Sequence, residues 1–145
     1  MKRTAIRMTI QAAAADAWDV ITDLSGVENY LPAISSSQVY FQDTNILRRI
    51  TLMDGLQYEE WIDSIDHDNL VMTYTMADPS PFQYSSLKGI IKVTPVSDSS
   101  CNICWECTYE VEEELADEIF TLLTLIINYG IKGIERRCKR LVEYA

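Results

Sequence analysis

Residues Cys101–Val111 read CNICWECTYEV, and the fold turns on how they are understood. By spacing, Cys101, Cys104 and Cys107 follow a Cys-x-x-Cys-x-x-Cys pattern, and Cys138 brings the thiols to four, the number that one tetrahedral zinc or one iron–sulfur cluster takes. By periodicity, Cys101, Ile103, Trp105, Cys107, Tyr109 and Val111 alternate with Asn102, Cys104, Glu106, Thr108, Glu110 and Glu112. A period of two sustained over these positions marks a β-strand with one buried face. On such a strand Cys104 points away from Cys101 and Cys107. Like-facing neighbours then stand apart by the strand's rise of ~3.3 Å per residue, far beyond zinc–sulfur bonds of ~2.3 Å. Cluster loops also need turning, glycine-rich backbone, which this stretch lacks. The expectation is a core strand, with no metal and no cofactor.

The rest of the composition sets the bounds. With 145 residues, 48% hydrophobic and 23% charged, the chain suits one well-buried core, and a single domain over 1–145 is expected. The formal charge of −10 argues against nucleic acid, whose backbone draws on clustered Lys and Arg. Arg7 and Gln11 interrupt the N-terminal segment, which makes a poor signal peptide. The longest apolar run, Ile119–Ile131, is broken by Thr121, Thr124 and Asn128 and falls short of the ~20 residues of a membrane span. A cytoplasmic protein with reduced thiols is the default reading.

Working outward from the cysteine strand, the same alternation recurs. Thr4–Ile10 is a first strand with Ile6, Met8 and Ile10 on one side. AAADAWDVITDL carries Ala14, Trp18, Ile21 and Leu24 at helical spacing, and a second short helix is expected at Val27–Tyr30, before Leu31-Pro32. Strands follow at Ser37–Gln42, Ile46–Met53, Gln57–Ile65, Leu70–Met76 and Tyr84–Val96. The final third predicts one helix over Glu114–Glu143, acidic in its first turn and basic in its last, as the helix dipole favours. Its apolar stripe reads Ile119, Leu122, Leu123, Ile126, Ile127, Ile131, Ile134, Cys138 and Leu141. Gly130 and Gly133 interrupt it at a cost of ~1 kcal/mol each relative to alanine, so something offsets them: close packing, a kink or room for a ligand.

Six consecutive strands joined by short turns favour an antiparallel sheet, whose concave face the long helix would cover. In this order of elements, AWDVITDLSGVENYLP, LRRITLMDG followed by YEEWIDSID, YTMADPSPFQY and IKVTPVSDSSCNICWECTYEV together resemble the START/Bet v 1-like (SRPBCC) superfamily, and within it the polyketide cyclase/dehydrase and MxaD-like branch. The resemblance spans nearly the whole chain. It implies an α+β helix-grip fold: a curved seven-stranded antiparallel sheet wrapped around a long C-terminal helix, with two short helices after the first strand. It also implies an elongated cavity for apolar or amphipathic small molecules. It carries over no shared catalytic signature.

Turn chemistry indicates what would line such a cavity. If Met53-Asp54-Gly55 is a three-residue hairpin loop, Gly55 takes its left-handed position. Leu52 then faces Leu56, Ile50 faces Tyr58, Arg48 faces Glu60 and Ile46 faces Ile62, which groups six apolar residues around one Arg and one Glu. A two-residue loop would slip the register by one, pair Arg49 with Glu60 and exchange the faces. The first register is preferred because it gathers the apolar residues, and because Arg48 and Glu60 match positions where the resembled branch tends to carry an Arg and a Glu. The pair then either orients a ligand's polar end or serves as a structural ion pair. Met72, Tyr74 and Met76 share a face with Leu70, Leu87 and Ile91 share one with Val93, and Trp105, Cys107 and Tyr109 share another. Leu123 and Ile127 on the helix and Phe82 in the loop ADPSPFQY complete the candidate lining.

Catalysis has less to rest on. His67 lies in the turn sequence DHDN and reads as solvated, and no serine or cysteine has a histidine base beside it. Glu60 is the one acid/base group to nominate if the chain is an enzyme of cyclase, dehydratase or isomerase type. Three functions remain open: binding of a lipid-, polyketide- or quinone-like molecule, such an enzyme, or a module that meets a protein partner.

Overall fold

The computed structural model describes residues 1–143. Alternating burial produces seven strands: β1 (Lys2–Ile10), β2 (Ile34–Gln42), β3 (Asn45–Leu52), β4 (Gln57–Asp66), β5 (Val71–Met76), β6 (Ser85–Ser97) and β7 (Ser100–Glu110). They form one antiparallel sheet in the order β1-β7-β6-β5-β4-β3-β2. Helix α1 (Ala14–Thr22) and a single 3-10 turn at Val27–Asn29 join the two edge strands, and a second 3-10 turn leads into α2 (Ala116–Glu143). This is the helix-grip arrangement, with the curved sheet around one long helix. No helix among the described residues is long and apolar enough to cross a membrane.

The decisive stretch is strand β7, and its burial alternates without a break from Cys101 to Tyr109. Cys101 and Cys107 are buried beneath the helix, while Cys104 lies on the outer face between Arg7 of β1 and Lys92 of β6. The outer face is laced by charge pairs, including Arg3–Glu106 at 2.6 Å and Arg49–Glu59 at 3.2 Å.

Element boundaries differ from the sequence reading where the backbone leaves regular geometry. β2 begins at Ile34 rather than Ser37, because a bulge at Ser35 lets Ile34 and Ser36 extend the pairing with β3. Leu70 belongs to the β4–β5 turn at φ 56°, an uncommon conformation for a side chain of its size, so β5 starts at Val71. The expected second helix shrinks to one 3-10 turn. His67 is exposed in its turn, yet its Nδ1 accepts the indole N–H of the buried Trp18 at 3.0 Å, tying α1 to the β4–β5 hairpin. Its surroundings therefore include a partner that turn statistics do not foresee.

Helix α2 sits against β1, α1 and the 3-10 turn. Its buried stripe is narrower than the expected one: Ile119, Leu123, Ile127, Ile131, Ile134 and Cys138 are covered, whereas Leu122, Ile126 and Leu141 are 43%, 36% and 48% exposed. A helix seated toward one end of a wide sheet presents only part of an apolar stripe to that sheet. The two helix glycines mark where the seat is tightest. A Cβ at Gly130 would lie 2.5 Å from the Trp105 ring, and one at Gly133 would overlap the backbone carbonyl of Tyr30.

Two outcomes follow. Alanine at Gly133 should lower the melting temperature more than alanine at Gly130: overpacking costs ~1–3 kcal/mol, and a carbonyl oxygen yields less readily than a ring edge. Iodoacetamide applied to the folded protein should label Cys104 first, since Cys101 is buried and burial pushes the Cys107 and Cys138 thiols up to about 11. Peptide mapping after brief exposure checks the order.

Candidate functional site

The inner face of β3 and β4 is set by their hairpin. Gly55 stands at φ 90°, its N–H donates to the Leu52 carbonyl at 2.9 Å, and the Leu52 N–H donates to the Leu56 carbonyl at 2.8 Å. The three-residue loop therefore exists, and the register places Arg48 opposite Glu60, Ile50 opposite Tyr58 and Ile46 opposite Ile62. Both charged side chains point inward and are almost fully buried, at 3% and 7% exposure.

Arg48 donates from Nε and Nη2 to the same oxygen, Glu60 Oε1, at 3.0 and 2.8 Å. Its Nη1 is buried and has no hydrogen-bond partner among the described residues. Burial works against the guanidinium charge, but the Glu60 carboxylate together with the nearby Tyr30 and Tyr74 phenols outweighs it, and Arg48 is held above the ordinary arginine range. A buried donor without an acceptor costs free energy, so this one needs an explanation.

A pocket of ≈ 570 Å³ opens beside the pair, between α2 and the inner face of the sheet. Its size is that of a small-molecule site. Among the described residues, Arg48 and Glu60 are the only charged ones in its wall. Burial pushes the phenols of Tyr74, Tyr84 and Tyr58 up, with Glu60 nearby adding to each shift, so all three remain protonated. The Trp105 indole donates to the Tyr74 hydroxyl at 2.9 Å, and Tyr58 meets Phe82 edge-on while Phe82 stacks on Tyr84, each at 5.2 Å between centroids.

Of the sixteen residues expected in the lining, twelve border this space: Arg48, Tyr58, Glu60, Tyr74, Met76, Phe82, Leu87, Ile91, Trp105, Cys107, Leu123 and Ile127. Ile50, Ile62, Met72 and Tyr109 do not; they share the inner face but are enclosed by neighbouring side chains. Tyr109 is further engaged by Thr4 of β1, hydroxyl to hydroxyl at 3.0 Å.

Sequence reasoning missed three groups. Val27, Tyr30, Leu31, Pro32 and Ala33 come from the β1–β2 connection, and Ile34 opens β2. The Ser37 hydroxyl, accepting from the Val27 N–H at 3.2 Å, and the Ala33 carbonyl, accepting from the Met53 N–H at 2.9 Å, hold that connection over the sheet. Its apolar residues, unusual in a connection, were the available signal. Leu122, Ile126 and Tyr129 come from the exposed flank of α2. Tyr84 and Leu52 complete the wall; Tyr84 shares a face with Leu87 because a bulge at Ser86, φ 55°, shifts the alternation between them. Among the described residues no cluster of three or more His, Cys, Asp or Glu is arranged to hold a metal ion.

The same architecture occurs in solved structures. The chain superimposes on XoxI from Bacillus cereus with a TM-score of 0.85 at 21% identity, covering 97% of this chain and 98% of that one. Norcoclaurine synthase from Thalictrum flavum, solved with dopamine and hydroxybenzaldehyde, gives 0.75 at 18% identity, with 99% and 88% covered. The Zhui aromatase/cyclase from Streptomyces sp. R1128 gives 0.73 at 12%, with 98% and 93% covered. At these identities the likeness establishes the fold alone. No curated protein matches the chain. The family model described as polyketide cyclase/dehydrase and lipid transport matches residues 1–145, and the chain belongs to that family.

Proposed function

We propose that this chain binds an apolar or amphipathic small molecule, lipid-, polyketide- or quinone-like, in the pocket between the sheet and α2. The observation that carries the reading is the pocket itself, ≈ 570 Å³ of space between α2 and the sheet with the Arg48–Glu60 pair in its wall. The remainder of the wall, largely aliphatic and aromatic, suits an apolar body. The family description names cyclases, dehydrases and lipid transport, all of which handle such molecules.

The enzyme reading rests on Glu60, the one carboxylate in the wall among the described residues. Its Oε1 already accepts two hydrogen bonds from Arg48, an arrangement that holds a carboxylate in place more than it readies one for proton transfer. The protonated phenols are suited to donating. Binding is thus the function that the geometry supports best, with Arg48 and Glu60 as its polar anchor.

Native mass spectrometry of the gently purified protein, followed by solvent extraction, tests this directly. The expected result is a reproducible small-molecule adduct; an apo mass together with no uptake of any apolar probe would count against it. Variants separate anchor from scaffold. Arg48→Met alone strands Glu60 in the core and should destabilise the fold by ~3–5 kcal/mol, whereas the double change Arg48→Met/Glu60→Met should cost far less, as apolar replacements of buried pairs do. The double variant should hold the extracted ligand roughly tenfold more weakly, the worth of one or two hydrogen bonds. Chemical denaturation and ligand titration read the two effects apart.

A further inference from the structure

Helix α2 is apolar on its outer side as well as on the side that meets the sheet. Leu122, Leu125, Ile126 and Tyr129 adjoin one another there, with Leu125 49% and Tyr129 58% exposed. Leu122, Ile126 and Tyr129 also border the pocket, so a ligand accounts for part of their exposure. Leu125 does not border it, and an occupied pocket leaves that side chain in water. A surface helix ordinarily turns polar residues to this side, and a contiguous apolar patch marks an interaction surface.

The charges at the two ends of the patch point to its partner. Residues seven or eleven positions apart on an α-helix lie within about 20° of one line along its surface. Glu118 and Lys132 each stand seven residues from Leu125, and Arg136 stands eleven beyond it. Glu114, eleven before it, lies in the 3-10 turn that leads into the helix. The line is therefore acidic at its start, apolar in its middle and basic at its end. All four charged side chains belong to exposed residues, and none forms an ion pair among the described residues. Glu135, an acidic residue of the basic half, is turned aside to accept the Gln11 N–H at 2.7 Å. Such a line is complementary to itself run backwards. A second copy crossing antiparallel at Leu125 brings its Lys132 level with Glu118 and its Arg136 level with Glu114, and does so at both ends, as a two-fold axis requires. A lipid surface matches only half of the line, because anionic head groups repel Glu114, Asp117 and Glu118.

We propose that two copies of this chain pair through the outer side of α2, antiparallel about Leu125, with the acidic start of each helix against the basic end of the other. Each helix then also lies along the border of its partner's pocket at Leu122, Ile126 and Tyr129. Sedimentation velocity from about 1 to 100 µM protein tests the pairing, and a dimer is the expected species. Leu125→Glu, at an exposed position, should leave the melting temperature unchanged and weaken the dimer about hundredfold, since it takes one buried leucine from each copy. Glu118→Lys alone sets like charges opposite one another at both ends and should weaken pairing about tenfold, while Glu118→Lys/Lys132→Glu restores opposite charges and should recover it to within about threefold. A monomer throughout the range would overturn the inference, and phosphatidylcholine/phosphatidylserine vesicles that pelleted this monomer but not Leu125→Glu would give the face to a membrane instead. A dimer indifferent to Leu125→Glu would place the interface elsewhere and overturn it as well. A dimer that Leu125→Glu breaks, but that the charge exchange fails to restore, would overturn the antiparallel arrangement.

Discussion

Seven strands spaced ~4.8 Å apart make an inner face roughly 29 Å across, while a single helix with its side chains is only about 10–12 Å wide. One helix cannot cover that face, however the sheet curves. Here α2 is seated toward the β1 end by the contacts that Gly130 and Gly133 permit, and the β1–β2 connection is laid over much of what remains. The space that neither fills is the pocket. Its position follows from where the helix is held, and the same placement leaves Leu122, Ile126 and Tyr129 partly exposed at its border.

The buried pair acquires its character from that geometry. On a solvated sheet face Arg48 and Glu60 would resemble Arg49 and Glu59 one residue away, a surface pair of little energetic consequence. Turned inward, they are taken out of water, and the hydrogen bonds that Arg48 makes to Glu60 leave one nitrogen unsatisfied. The three-residue loop ending at Gly55 decides which of the two pairs faces in. A single turn glycine therefore sets the polarity of the cavity wall.

How much of this the sequence disclosed depends on the kind of information each feature needs. β7 was legible because its alternation is unbroken, and the β3–β4 register was legible because Asp54-Gly55 offers only two loop lengths to choose between. The fold was recognisable from the order of such segments. The partition of the inner face was not. Alternation placed Ile50, Ile62, Met72 and Tyr109 on the same face as Tyr74 and Trp105, and nothing local distinguishes a side chain enclosed by others from one beside a void. The contribution of Tyr30 and Leu31 depends on how an irregular connection docks, and that of Leu122 and Ile126 on where α2 comes to rest. Both are tertiary facts, as is the bond from Trp18 to His67.

The pairing of β1 with β7, with Lys2 opposite Tyr109 and Ile10 opposite Cys101, has a consequence in time. During synthesis β1 leaves the ribosome well before β7, its one neighbour in the sheet among the described residues. Until then Ile6, Met8 and Ile10 have no partner strand to lie beside. Contacts this distant in sequence slow folding, since the closure entropy of the intervening chain is spent before they form. The basic residues Lys2, Arg3 and Arg7, set among those apolar positions, are of the kind that keeps an unpaired strand from joining another chain. The strand that later flanks the cysteine strand is thus dressed for a wait.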